Sequence, residues 1–254
     1  MHPVLFHVGD LPIATYGVAT GLALLLGVLL GTRQAKRDGL PSEWAWDLGL
    51  LTMACFPVGA RLEYVRTHWD RFADHPAAIL SLRDGGLVFY GGLVTSILGF
   101  LVYARWRKVS ALALLDMMAP SVSFGHAIGR LGCLAAGCCY GRETSGAWSI
   151  TFPEGSVAPA GVPLIPTQLH EAAFNLALGT FLALVPRRFV GQRFVLMLWL
   201  YAIFRTVNEV FRGDSARGTV FGGLMTNAQL TAVVLSLVAA GIAWRHRSAR
   251  ASTM

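Results

Sequence analysis

Charge is scarce in this sequence. Asp, Glu, Lys and Arg make up 14% of its 254 residues, where a soluble domain carries about 25%. That shortage sets aside an ordinary water-soluble globule, and equally a disordered chain, which is rich in charge and poor in apolar residues. Lysine is nearly missing, with only Lys36 and Lys108 among 21 basic residues. The four cysteines, Cys55, Cys133, Cys138 and Cys139, are too few for a disulfide scaffold. Neither an internal repeat nor a low-complexity tail is found, which weighs against the inverted-repeat transporters. No cationic segment precedes the first apolar run and no small-residue cleavage site follows it, so a removable signal peptide is not expected.

What is there is apolar: 54% of the residues are hydrophobic and the mean hydropathy is +0.54. Crossing a bilayer takes about 20 residues of helix. Apolar stretches bounded by Gly, Pro and charge lie at 13–32, 46–58, 87–103, 111–128, 168–185, 194–211 and 228–244. The second is short and the fourth is interrupted by Asp116, Pro120 and His126, so either admits a re-entrant or kinked segment. Basic residues test the count. Arg33, Lys36 and Arg37, then Arg105, Arg107 and Lys108, then Arg187, Arg188 and Arg193, then Arg245, Arg247 and Arg250 follow spans one, three, five and seven, holding 12 of the 21 cations on one side. The fold class is therefore all-α: a polytopic membrane protein with seven transmembrane helices, one integral domain over residues 1–254, its N-terminus outside and its C-terminus cytoplasmic. Residues 129–167 are expected to form a small extracytoplasmic head within it. Residues 59–86 carry balanced charge and are read as able to lie on the membrane surface. Basic loops between apolar spans report orientation and anionic lipid, so nucleic acid is not an expected partner.

Ionisable groups inside a span cost a few kcal/mol, so each calls for a partner or a role. Arg205 and Glu209 stand four positions apart on one helical face, which fits a neutralising pair, yet Arg130 in Gly129-Arg130-Leu131-Gly132 stays unexplained by it. Two arginines at the outer half of the bilayer suggest a held anion. The forked guanidinium suits a phosphate, and the anion to hand is a phospholipid headgroup. Span five opens on Pro166-Thr167-Gln168-Leu169-His170-Glu171, where Thr167 serves equally as a helix cap. The glycines of Asp84-Gly85-Gly86 through Gly91-Gly92 allow close approach of backbone to a ligand or of helix to helix. Tyr16 reads first as an interfacial anchor. Cys133, Cys138 and Cys139 fall within seven residues, a pattern open to apolar packing, to a disulfide from Cys133 to Cys138 or Cys139, or to a structural zinc. Cys55 reads as an apolar filler.

The ordered set His2-Pro3-Val4-Leu5-Phe6, Tyr16-Gly17, Gly59-Ala60-Arg61, Asp84-Gly85-Gly86 with Gly91-Gly92, Gly129-Arg130-Leu131-Gly132 through Gly141-Arg142, Pro166-Thr167-Gln168-Leu169 with Glu171, and Phe204-Arg205 through Glu209 to Arg212 resembles the bacterial phosphatidylglycerol:prolipoprotein diacylglyceryl transferases over nearly the whole chain. The resemblance implies an inner-membrane enzyme that moves diacylglyceryl from phosphatidylglycerol to the thiol of a lipobox cysteine in the signal peptide of a preprolipoprotein, releasing glycerol phosphate. Its partners would be those two substrates and membrane lipid, and no cofactor or metal is implied. By motif position Arg130 and Arg205 look like the catalytic phosphate-binding residues. Glu209 would orient Arg205, Tyr16 would contact substrate and Gly141 would shape the wall; Arg61, Gly91, Gly92, Gln168 and Glu171 complete the substrate-binding set. Five positions depart from the family pattern: Tyr90 replaces a His, Cys133 an Asn, Cys138 a Glu, Ile165 a His and His170 a Tyr. A phenol is a weak base, so His170, which the family lacks, is read as the proton acceptor beside Tyr90 in the catalytic set. A paralogue that uses phosphatidylglycerol with another acceptor, a phospholipid-binding or transport protein, and a thiol redox protein are the other readings.

Overall fold

A computed structural model describes residues 4–9, 11–81, 86–214 and 218–251. His2, Pro3, Asp84 and Gly85, all weighed above, lie outside them. The described chain has seven α-helices: α1 (Thr15–Arg37), α2 (Glu43–Thr67), α3 (Phe89–Trp106), α4 (Ala111–Ala136), α5 (Thr167–Leu184), α6 (Gln192–Phe211) and α7 (Asn227–Ala251). Five of them (α1, α2, α4, α6 and α7) are long and apolar enough to cross a membrane. The other two are 18 residues each, and α5 is diluted by Gln168, His170, Glu171 and Asn175 in its first half. Leu22, Leu25 and Leu29 of α1, Val102 of α3 and Leu237 of α7 are exposed, as side chains that face lipid are.

The helices differ from the sequence reading in length. The second stretch, read as short, is a 25-residue helix that runs through Pro57 and past Arg61. Residues 59–67 therefore continue α2, and 3-10 turns at Trp69–Arg71 and Pro76–Leu80 follow. The fourth is unbroken: α4 continues through Pro120 and His126 to Ala136, because a helix that loses one backbone bond to proline keeps the rest. Residues 129–136, assigned above to the head, are thus its last two turns, and Arg130 sits inside a helix. Residues 137–166 are irregular, pinned by isolated bridges such as Glu143 to Leu164, and they wrap a small core of Phe152, Ala158 and Leu164. Two short antiparallel hairpins add to the all-α expectation: β1 (Val4–Val8) with β2 (Leu11–Ala14), and β3 (Thr219–Val220) with β4 (Met225–Thr226).

Small residues bring the helices together, as they must where lipid offers no hydrophobic drive. A Cβ on Gly91 of α3 would collide with the Gly59 carbonyl of α2, and one on Gly92 would meet the Phe56 ring at 2.7 Å. On the other side, Gly132 of α4 admits α1, where a Cβ would lie 3.2 Å from Tyr16 Cδ2. One end of the assembly gathers polar links. Asp38 after α1 meets Arg193 at 2.7 Å and Arg187 at 3.8 Å, Arg107 after α3 meets Glu43 of α2 at 3.4 Å, and Phe189 stacks on His246 of α7. The α1–α2, α3–α4 and α5–α6 connections and the last turns of α7 therefore share one end, as the cation clusters led us to expect.

Asp116 ties this end together. Its carboxylate, fully buried in α4, accepts the backbone N–H groups of Arg193 (2.6 Å) and Phe194 (3.1 Å) at the start of α6. Gly191, the residue that precedes α6, has φ +96 and no side chain to cap with, so the cap comes from another helix. Asp116→Ala strands two buried N–H groups and is expected to cost about 1–3 kcal/mol. Asp116→Asn, which keeps an acceptor, should lose less. Thermal unfolding of the two variants in detergent checks the order.

Candidate active site

The chemistry-bearing side chains meet where α4, α5 and α6 face one another. His126 and Arg130 stand one turn apart on α4; Tyr201, Arg205 and Glu209 occupy successive turns of α6; Glu171 projects from the first turn and a half of α5. The Glu171 carboxylate, 1% exposed, receives Arg130 Nε at 3.0 Å on Oε2 and the Tyr201 hydroxyl at 2.9 Å on Oε1. His126 Nε2 lies 3.3 Å from Oε1 and 3.2 Å from Arg130 Nε, so its tautomer decides whether it donates to the carboxylate or accepts from the arginine. Arg205 Nη1 pairs with buried Glu209 at 2.8 Å. Both guanidinium groups, Arg130 and Arg205, are near enough to act electrostatically on Glu171 and on Tyr201.

The two arginines keep donors in reserve. The contacts of Arg130 run through Nε, and its terminal Nη groups carry no hydrogen bond among the described residues. Arg205 has its ion pair but no hydrogen bond of ideal direction there, although its Nη1 is buried. The Nη groups of Arg130 are thus open to a bound oxyanion, for which the guanidinium fork is suited.

The chain after α4 builds one wall. Gly137 turns left-handed (φ +73), and the Cys138 N–H returns to the Cys133 carbonyl at 3.1 Å while the Gly137 N–H reaches Leu134 at 3.2 Å, the double bond of a Schellman stop. Gln168 Nε2 then donates to the Cys138 carbonyl and Thr167 Oγ1 to that of Cys139, each at 2.8 Å. Thr167 therefore ties α5 to this wall rather than capping its own helix, as read above. Gly141 is threaded between two neighbours: its N–H bonds the Ile165 carbonyl at 3.0 Å, and a Cβ would sit 2.9 Å from the Phe211 carbonyl. Tyr16 of α1 stands close to Cys133, Cys138 and Arg130. The structure leaves all four cysteines unbridged.

Of the residues singled out in the sequence, the structure thus brings together Arg130, Arg205, Glu171, Glu209, Gln168, Gly141 and Tyr16. Others it places elsewhere. Tyr90 is exposed at the start of α3, its ring edge-on to Phe89. His170 is exposed on α5 beside Phe211, one residue from Glu171 and hence about 100° around the helix. Gly91 and Gly92 serve the α2–α3 contact described above. Arg61 is buried in α2, where its guanidinium donates to the carbonyls of Ile79 (2.8 Å), Gly86 (3.2 Å), Ala78 (2.8 Å) and Ser81 (2.6 Å), holding the connection to α3. Two members of the cluster, His126 and Tyr201, were missed. Their signal was present: each stands four residues before an intramembrane arginine, on its face of the helix.

Comparison with known proteins settles the kinship. The family model described as prolipoprotein diacylglyceryl transferase matches residues 3–245. The chain belongs to this family. It is 32% identical over 237 residues, 92% of its length and 91% of the relative's, to the phosphatidylglycerol--prolipoprotein diacylglyceryl transferase 2 of Clostridium perfringens. It is 30% identical to the Clostridium tetani transferase over 87% of the chain and 88% of the relative, and 33% identical to the Bacillus cytotoxicus transferase over 84% and 81%. The pairs of this charged cluster are energetically bound to one another. Glu171→Ala leaves Arg130 buried without its partner and is expected to cost about 3–5 kcal/mol. Adding Arg130→Met should return part of that loss, so a double-mutant cycle on thermal stability reads the coupling directly.

Proposed function

We propose that this chain is a membrane transferase that moves the diacylglyceryl group of phosphatidylglycerol onto the thiol of a lipobox cysteine in a preprolipoprotein and releases glycerol phosphate. The names of its relatives supply the reaction, and the observation that carries it to these residues is the pair of partly buried arginines, Arg130 fixed by Glu171 with its Nη groups to spare and Arg205 fixed by Glu209. Arg130 and Arg205 hold the phosphodiester. As the glyceryl carbon–oxygen bond breaks, negative charge grows on the leaving oxygen, and guanidinium groups already fixed by Glu171 and Glu209 meet it without reorganisation. The incoming thiol must lose its proton. His126, held between Glu171 and Arg130, is the proton acceptor within the cluster, whereas exposed His170 and Tyr90 line the approach of substrate. Tyr16, Gln168 and Gly141 shape the wall against which the lipid lies.

The setting follows from charge. All seven helices cross the bacterial cytoplasmic membrane, with the cation-rich end in the cytoplasm, the N-terminus outside and residues 137–166 as the extracytoplasmic head. The arginines then lie toward the outer leaflet, within reach of a phosphatidylglycerol headgroup.

Release of labelled glycerol phosphate from phosphatidylglycerol, with a prelipoprotein peptide present, separates this reading from a lipid-binding protein, which releases none. Arg205→Lys keeps the charge but loses the fork and is expected to slow transfer by roughly 10²–10³. His126→Ala should slow it far more than His170→Ala. The reverse order would move the proton acceptor to His170.

A further inference from the structure

The mechanism above leaves one cluster of nucleophilic groups unused. The sulfurs of Cys133, Cys138 and Cys139 all lie within 4.8 Å of one another, beside Arg130. We propose that these three thiolates bind a single zinc ion whose fourth coordination position is open and takes the thiol of the acceptor peptide. This rests on the transferase reading and gives its acceptor side a binding group.

Number and geometry favour a metal over a disulfide. A bridge uses two sulfurs and strands the third, whereas a tetrahedral zinc with bonds of about 2.3 Å needs its sulfurs about 3.8 Å apart, a short side-chain rotation from where these stand. The backbone is already set for it. The helix stop at Gly137 folds Cys138 and Cys139 back over Cys133. Cys139 is held in the left-handed region at φ +61, and both carbonyls are tied to α5 through Gln168 and Thr167. Such pinning removes much of the ordering that a metal site otherwise requires. Charge also fits. Three thiolates and Zn²⁺ carry one net negative charge, and Arg130 and Arg212 both act on Cys139, with Arg212 itself fixed by Asp214 at 2.7 and 2.6 Å. Cys133 is buried while Cys138 and Cys139 are only partly so, which leaves one face of the triangle accessible.

An open position on a three-thiolate zinc site suits a thiol. Coordination makes the acceptor thiol more acidic, its proton passes to His126, and its sulfur is held as thiolate. The sulfur lone pair then forms the bond to the glyceryl carbon, the carbon–oxygen bond to phosphate breaks, and the oxygen leaves with the electron pair as glycerol phosphate between the arginines. The thioether product is a poorer ligand than the thiolate and departs.

Cobalt titration of the metal-stripped, reduced, full-length protein in detergent tests this without reading transfer. Thiolate-to-cobalt absorption is expected to saturate at one equivalent, to be displaced by zinc, to be lost in Cys138→Ser and in Cys139→Ser, and to persist in Cys55→Ser. A lipobox peptide should perturb the cobalt spectrum, and its Cys→Ser form should not. No absorption in the natural chain overturns the site, as does absorption that survives both loop substitutions. A bridge among these cysteines in protein whose free thiols were blocked at cell lysis overturns it too. Cobalt binding that ignores the peptide removes the open position. Cobalt binding without glycerol phosphate release counts against the transferase reading alone, and release without cobalt binding counts against the metal alone.

Discussion

A carboxylate buried in a membrane helix bundle has to be neutralised, and Glu171 does this with two helices at once. It draws Arg130 from α4 and Tyr201 from α6, and His126 fills the remaining side. The interaction constrains everything near it. Because each charge would be costly alone in a low-dielectric interior, the pair holds α4, α5 and α6 at fixed spacing. That spacing fixes Arg130 beside Glu171, with its Nη groups left over.

The bundle around this cluster is assembled by close approach rather than by hydrophobic exclusion. Gly91 against Gly59 and Gly132 against Tyr16 remove the side chains that would keep α3 from α2 and α4 from α1. At the opposite end Asp38 and Asp116 bind α1 and α4 to the start of α6 through backbone and side chain. The charged cluster thus lies between an end locked by polar caps and the irregular 137–166 segment.

That segment is more than a cover. Its first residues reverse the chain at Gly137 and present three sulfurs next to Arg130, while Gly141 and Arg212 are laced to the ends of α5 and α6. An arginine and three sulfurs therefore share one wall, the adjacency that the proposed reaction between a phospholipid and a thiol requires.

Much of this was legible in the sequence. Long apolar runs against sparse charge announce a helical membrane protein, the arginine clusters announce its alternation, and intramembrane Arg130 and Arg205 announce a site because hydrocarbon tolerates them only with a purpose. Helix limits were harder to read. Pro57 and Pro120 look like breaks, yet each removes only one backbone bond, and lipid compels the rest of the helix to continue. The partners were harder still: His126 and Tyr201 are ordinary residues until packing brings them to Glu171, and Arg61 looks like a ligand-binding cation until the loop carbonyls surround it. Sequence by itself determined which residues are too expensive to bury alone and that the chain forms apolar helices suited to a membrane, since both follow from local composition and helical period. Only the tertiary structure decided which charge neutralises which, because that depends on distances between helices far apart in the chain.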